Sequence, residues 1–131
     1  MHEKVLIVED NAFLAWGMRE VLAQVGFQVV GVAATTAEAL HLANDTDPDI
    51  AILDIRLAGR RDGIEAAMLL RQKSGLPVLF VTGEGDATTR LRAAAAEPAA
   101  YLLKPVSGDQ LVRAVELALR ASLVRADGDG S

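Results

Sequence analysis

Short apolar runs without polar alternation recur along this chain, and each is closed by a polar group. Ile50-Ala51-Ile52-Leu53 is bounded upstream by Asp47-Pro48-Asp49 and ends at Asp54. Val5-Leu6-Ile7-Val8 ends at Glu9-Asp10, and the run from Pro77 to Val81 ends at Thr82-Gly83. Ala100 to Leu103 ends at Lys104-Pro105, while Phe27 to Val32 is a strand-like run interrupted by Gly31. Side chains alternate across a sheet, so a strand apolar at every position must be buried on both faces. Such strands belong to parallel sheets covered by helices.

Helical patterns fill the gaps between the runs. Asn11 can cap a first helix with Leu14, Met18, Val21, Leu22 and Val25 on one stripe, stopped by Gly26. Thr35-Thr36-Ala37-Glu38 reads as a capping box, and its helix carries Ala39, Leu40, Leu42 and Ala43. Asp62-Gly63-Ile64-Glu65 can open a third helix that ends at Gly75. Ala87 to Ala96 is helical mostly by alanine propensity and is broken by Pro98, so a short or mobile helix is expected. Ser107-Gly108-Asp109-Gln110 is another capping box; it opens a last helix with Leu111, Val115 and Ala118 on one stripe, widened by Val112 and Leu119. Strand and helix therefore alternate five times. The pattern predicts an α/β fold: a flavodoxin-like, doubly wound, five-stranded parallel sheet of order 2-1-3-4-5 with five helices. A chain of 131 residues has room for one such domain. Its expected extent is 1–125, with a disordered polar tail over 126–131.

Composition narrows the function. The net charge of -5 disfavours nucleic-acid binding through a basic surface. The absence of cysteine removes disulfides and thiolate metal sites, which fits a cytoplasmic protein. Met1-His2-Glu3-Lys4 leads straight into a strand without a signal-peptide pattern, and no apolar run approaches the ~20 residues that span a membrane. Neither a membrane nor a nucleic-acid partner is expected. His2 and His41 read as surface residues with no metal partner nearby in the pattern.

In a parallel sheet the strand ends lie on one edge, where ligands of open α/β sheets bind. That edge would collect Glu9, Asp10, Asp54, Thr82 and Lys104. Taken singly, each has an ordinary reading as a turn, cap or solvated surface residue. Three crowded carboxylates repel one another, and a hard divalent cation such as Mg²⁺ relieves the repulsion while keeping several waters. One acid can then serve as a nucleophile toward phosphorus, forming an aspartyl-phosphate. Lys104 would add positive charge, Thr82 a hydrogen bond, and Gly83 space beside it.

Val8-Glu9-Asp10, Ile52-Leu53-Asp54, Val81-Thr82-Gly83 and Tyr101-Leu102-Leu103-Lys104-Pro105, in this order, resemble the response-regulator receiver domain of bacterial two-component signalling. The resemblance covers essentially the whole chain. It implies Asp54 as phosphoacceptor, Thr82 and Lys104 as the groups that assist it, and Glu9, Asp10, Asp54 and the Arg56 backbone carbonyl as ligands of Mg²⁺. It further implies Thr82 and Tyr101 as switch residues and a cis Lys104-Pro105 peptide. The phosphoryl group would come from a histidine kinase or a histidine phosphotransfer protein. It would change the surface of the fourth helix, fifth strand and last helix. The chain would catalyse only its own phosphorylation and dephosphorylation, as a monomer or weak homodimer. A narrower likeness, in Phe27 to Ala34, Leu53 to Leu57 and Phe80 to Gly83, is to alphaproteobacterial stress-response and atypical single-domain receivers.

Phe13 and Trp16 lie off the first helix's apolar stripe, three residues apart on one face, and would suit partner docking next to the acids. The loop after Asp54 departs from the family. Leu57-Ala58 stand where Met-Pro is usual, Asp62-Gly63 comes one residue late, and Arg60-Arg61 intervene. Ala96-Glu97-Pro98-Ala99 replaces the usual Gly-Ala ending of the fourth helix. Rival readings are a pseudo-receiver that binds partners without phosphorylation and a receiver excised from a hybrid histidine kinase. Met1 and the polar tail favour a stand-alone protein over the latter. A phosphohydrolase using an aspartyl-phosphate would need a second Asp two residues after the nucleophile, where Arg56 stands.

Overall fold

The computed structural model describes residues 2–59 and 61–129, the side chains from Arg125 onward excepted. Five strands form one sheet: β1 (Lys4–Val8), β2 (Gln28–Ala33), β3 (Ile50–Leu53), β4 (Val78–Thr82) and β5 (Ala100–Leu103). Their order is β2-β1-β3-β4-β5, and every pairing is parallel. The helices are α1 (Ala12–Gln24), α2 (Thr36–Thr46), α3 (Gly63–Ser74), α4 (Ala87–Ala94) and α5 (Gly108–Asp129). This is the expected doubly wound, flavodoxin-like arrangement.

The apolar runs feed two cores, one on each face of the sheet. Leu6, Val8, Leu53 and Phe80 pack with Ile64, Ala67 and Leu70 of α3 and with Ala39 of α2. Their strand neighbours Val5, Ile7, Ile50, Ile52 and Leu79 point the other way, toward Ala15 and Leu22 of α1 and Leu111, Val115 and Ala118 of α5. Side-chain alternation along a strand thus turns an unbroken apolar run into two half-cores.

Caps hold the helices in register. Asn11 accepts from Leu14 N–H, Thr35 from Glu38 N–H, and Asp62 from both Ile64 and Glu65 N–H. Ser107 and Gln110 complete a reciprocal capping box at 3.1 and 2.9 Å. Gly75, at φ 64°, closes α3 in the left-handed region where glycine carries no Cβ penalty.

Several elements differ from expectation. In α1, Leu14 is 39% exposed and Val25 54% exposed, while Ala15 is buried. Val25 is the C-cap, outside the helical backbone, so its side chain leaves the stripe. In β2, Val5 pairs with Val29 but Leu6 with Gly31, a bulge that leaves Val30 out of the ladder. Helix α4 stops at Ala94. The chain then tightens through i→i−3 bonds at Ala95, Ala96 and Glu97, and Glu97 takes φ 47°. Arg71 of α3 holds that strained residue, donating to the Glu97 carbonyl at 2.8 Å and to its carboxylate at 3.0 Å. At the other end, α5 continues through Asp129, so four residues of the expected 126–131 tail are helical and 130–131 lie outside the described residues. Leu123, Val124 and Ala126 carry no breaker until Gly128. Among the described residues, no helix is long and apolar enough to cross a membrane.

Candidate functional site at the carboxyl edge of the sheet

Four strand ends converge. The Asp54 N–H bonds the Val8 carbonyl at 2.9 Å, and the Lys104 N–H bonds the Thr82 carbonyl at 2.8 Å, so β1 and β3, and β4 and β5, end level with one another. The Lys104 ammonium donates to Glu9 Oε1 and to Asp54 Oδ2, both at 2.7 Å. Glu9 and Asp54 are almost fully buried, and Lys104 is half-buried. Two carboxylates thus share one cation in a low-dielectric pocket, a costly arrangement when either partner is lost. The Lys104-Pro105 peptide is cis.

Electrostatics reflect this crowding. Burial pushes the Glu9 carboxyl above its ordinary value, against the hydrogen bonds from Lys104 and from the Asn11 N–H. Burial alone would lower the Lys104 ammonium, but its hydrogen bonds to Asp54 and Glu9 outweigh that and raise it.

Asp10 does not join the pair; its side chain is exposed beside it. Among the described residues, no three acid side chains are close enough to form a ready metal cluster. The expected trio of crowded carboxylates is therefore a buried pair bridged by Lys104. The other oxygen of Asp54 accepts from the Arg56 backbone N–H at 3.3 Å.

The loop after Asp54 is packed from behind by α3. A Cβ on Gly63 would lie 1.8 Å from the Asp54 carbonyl oxygen, so only glycine fits there. The Gly63 N–H bonds the Ile55 carbonyl at 2.7 Å, closing the loop one residue into α3. The late Asp62-Gly63 is therefore a cap plus a close-approach glycine. Arg60 of the loop's arginine pair lies outside the described residues.

On the far side, Thr82 is buried, and its hydroxyl oxygen accepts from the Glu84 N–H at 3.3 Å. Tyr101 is half-buried against Phe80, with ring centroids 5.9 Å apart. Its hydroxyl donates to the Glu84 carbonyl, and Arg90 lies 4.6 Å over its ring. Burial raises the Tyr101 phenol above its ordinary value.

Sequence spacing did not reveal the ion pairs that cross this rim. Arg56 reaches Glu84 at 2.6 Å, and Arg92 of α4 reaches Asp62 at 2.7 Å. These partners have no fixed offset in sequence; only the fold brings them together. Phe13 and Trp16 are 78% and 60% exposed. Phe13 lines a groove of about 610 Å³ with Leu14, Met18, Pro105, Val106 and Lys104, and Trp16 stands outside it.

A family model described as the response regulator receiver domain matches residues 5–116. The transcriptional regulatory protein PdtaR of Mycobacterium tuberculosis (strain H37Rv) is 38% identical over 116 residues, 88% of this chain and 56% of its own length. The DNA-binding response regulator MtrA of Mycobacterium leprae is 31% identical over 120 residues, 92% of this chain and 52% of its own. The chain thus spans about half the length of these curated relatives. The signal receiver domain of a modulated diguanylate cyclase from Desulfovibrio desulfuricans G20 superposes with a TM-score of 0.90 at 39% identity, covering 95% of this chain and 99% of that one. These likenesses speak to the family and not to any narrower branch of it.

Proposed function

Because the chain belongs to the response regulator receiver domain family of two-component signalling, we propose that it is a phosphorylatable switch with Asp54 as acceptor. The observation that carries this reading is the Lys104 ammonium bridging Glu9 and Asp54 at 2.7 Å on the sheet's carboxyl edge. Receiver domains are phosphorylated by histidine kinases, and a phosphohistidine on a kinase or phosphotransfer protein is the donor this pocket suits. An Asp54 carboxylate oxygen attacks phosphorus in line, the P–O bond forms, and the P–N bond to the imidazole breaks. The imidazole leaves with the electron pair and takes a proton from solvent. Such transfers depend on positioning and charge neutralisation.

Mg²⁺ fits the donor set, which is oxygen only: Glu9, Asp10, Asp54 and the Arg56 carbonyl. Two buried carboxylates against one ammonium leave negative charge for a hard cation to neutralise, and few protein ligands suit an ion that keeps its waters. When bound, it supplies neutralisation of the phosphoryl oxygens. The chain's own groups do the rest. The Lys104 ammonium faces the developing charge. The Arg56 N–H orients Asp54. The Thr82 hydroxyl accepts from Glu84, so its own proton is available to a phosphoryl oxygen. Thr82 and Tyr101, joined through Glu84, carry the change to α4, β5 and α5. Docking of the donor falls to α1, where Phe13 and Trp16 are exposed and Phe13 lines one groove with Lys104. The chain turns over no separate substrate in this reading, and it acts as a monomer or weak homodimer.

The test is intact mass after incubation with Mg²⁺ and acetyl phosphate. One added phosphoryl group in wild type and none in Asp54→Ala is the expected result. A gain in both would mean another acceptor, and no gain together with no Mg²⁺ binding would favour a pseudo-receiver.

A further inference from the structure

Glu84 sits where three contacts meet. Its carboxylate faces the Arg56 guanidinium at 2.6 Å, its N–H donates to Thr82, and its carbonyl accepts from Tyr101. Arg56, in turn, starts one hydrogen bond from the acceptor, since its N–H donates to Asp54 Oδ1. The pair therefore spans the mouth beside Asp54, from the loop after β3 to the loop after β4. Both residues line an open cleft of about 600 Å³ together with Asp10, Asp62, Arg61 and Arg92. Arg61 and Arg92 are committed to acids of the α3 N-terminus, Glu65 at 3.8 Å and Asp62 at 2.7 Å. Among the described residues Arg56 is tied only to Glu84, and its side chain is 85% exposed against 28% for Glu84.

We propose that Arg56 is a phosphoryl-binding residue held in reserve by Glu84: when Asp54 carries a phosphoryl group, the guanidinium leaves Glu84 for the phosphoryl oxygens. This inference rests on Asp54 being the acceptor. An ion pair in water is weak and readily exchanged. A phosphoryl group offers a charge of about -1.5 to -2 and three acceptor oxygens, and a planar guanidinium binds such a group through two parallel N–H bonds. The exchange also frees the Glu84 side chain while its backbone still holds Thr82 and Tyr101. Occupancy of Asp54 is thereby read at both switch residues through one loop.

The test titrates beryllofluoride, a non-hydrolysing phosphoryl mimic, into the protein with Mg²⁺ and follows the bound form by fluorine NMR. The variants are Arg56→Gln, Glu84→Gln, the double variant and Asp54→Ala. Arg56→Gln should weaken retention roughly two- to fivefold, the range of an exposed charge pair. Glu84→Gln should strengthen it by a similar factor. The deciding readout is the double variant, which should match Arg56→Gln alone, because Glu84 acts only by competing for Arg56. A Glu84→Gln gain that persists in the Arg56→Gln background would mean plain charge repulsion and would overturn the exchange. So would losses in both single variants, the behaviour of a structural strut. Equal binding by Asp54→Ala would instead overturn the acceptor assignment, and the exchange with it.

Discussion

Helices α3 and α4 cover the same face of the sheet by different physics. Helix α3 buries Gly63, Ile64, Ala66, Ala67 and Leu70, and it rests on strands β3 and β4, which are buried at every position. Helix α4 buries only Ala93 and leaves Leu91 76% exposed. Its neighbour β5 has no fully buried residue. What places α4 is charge: Arg92 on Asp62 at 2.7 Å and Arg90 over the Tyr101 ring. Moving α3 would open the core, whereas moving α4 would exchange exposed, individually weak contacts. The loop after Asp54 is anchored to the first kind of element, as is Thr82 at the buried end of β4, whereas Tyr101 lies against the second through Arg90. A receiver needs both, a fixed place for the chemistry and a neighbour whose position can be biased.

Glycine substitutions test this contrast most strongly. Gly63→Ala forces a Cβ to within 1.8 Å of the Asp54 carbonyl oxygen and 2.9 Å of the Ile55 Cα, both backbone atoms. A loss of about 4 kcal/mol or more is expected in urea unfolding. At Gly85, beside α4, the same Cβ meets Leu103 methyls at 3.4 and 3.5 Å, and Gly85→Ala should fall within about 0.5 kcal/mol of wild type. Next in size, Leu70→Ala in α3 should cost about 3 kcal/mol through a cavity, while Leu91→Ala in α4 should again stay within about 0.5 kcal/mol. Comparable losses at Leu70 and Leu91 would mean that α4 is anchored by packing after all.

Much of this asymmetry is legible in the amino-acid sequence. Unbroken apolar runs at Ile50 to Leu53 and Val78 to Val81 required two-sided burial, and that is where the densest packing lies. The alanine run before Pro98 offered α4 no large anchor, and the helix ends early at Ala94. Strand-end residues Glu9, Asp54, Thr82 and Lys104 converge because parallel strands end on one edge, which topology alone dictates. The rest depends on three-dimensional proximity. Arg56–Glu84 and Arg92–Asp62 are far apart in sequence, and nothing in either pair's spacing announces the other partner. Asp10 follows Glu9 directly beyond the end of β1, yet only Glu9 enters the buried pair, while the exposed Asp10 lines the cleft with Arg56 and Glu84. The Gly63 requirement was hidden too, since a glycine after an N-cap looks ordinary until the Asp54 carbonyl is placed against it.

Ionic strength gives a smaller and more selective test. If charge places α4, raising salt should speed amide hydrogen exchange in Ala87–Ala94 and leave Gly63–Ser74 unchanged. The expected change in opening free energy is up to about 1 kcal/mol, the scale of exposed ion pairs, because salt screens them and leaves apolar burial intact. Equal salt responses in the two helices would break the distinction.

The smallest effect is expected inside the well-packed half, at Glu9, where the Lys104 ammonium works against the burial of the carboxylate. Burial raises the folded-state value of Glu9 above its ordinary 4.5, so the folded protein binds the proton more readily than the unfolded chain. Stability from this group is fully present below pH 4.5 and is lost as pH rises through the raised value. Lys104 is shifted the same way at the alkaline end. Its contribution is present below 10.5 and is lost as pH climbs through its own raised value. Glu9→Gln removes the first loss. Urea midpoints measured from pH 4.5 to neutrality should therefore diverge, with the variant gaining on wild type as pH rises and the two lying nearest at the acid end. Parallel curves would mean that Lys104 fully compensates Glu9. Added Mg²⁺ should then reverse the order, because a ligand that binds the folded state stabilises it and the variant has lost one of the carboxylates that would hold the ion. An acid that weakens the resting fold in the midst of the best-packed strands is what selection for a binding site, and not for stability, would leave there.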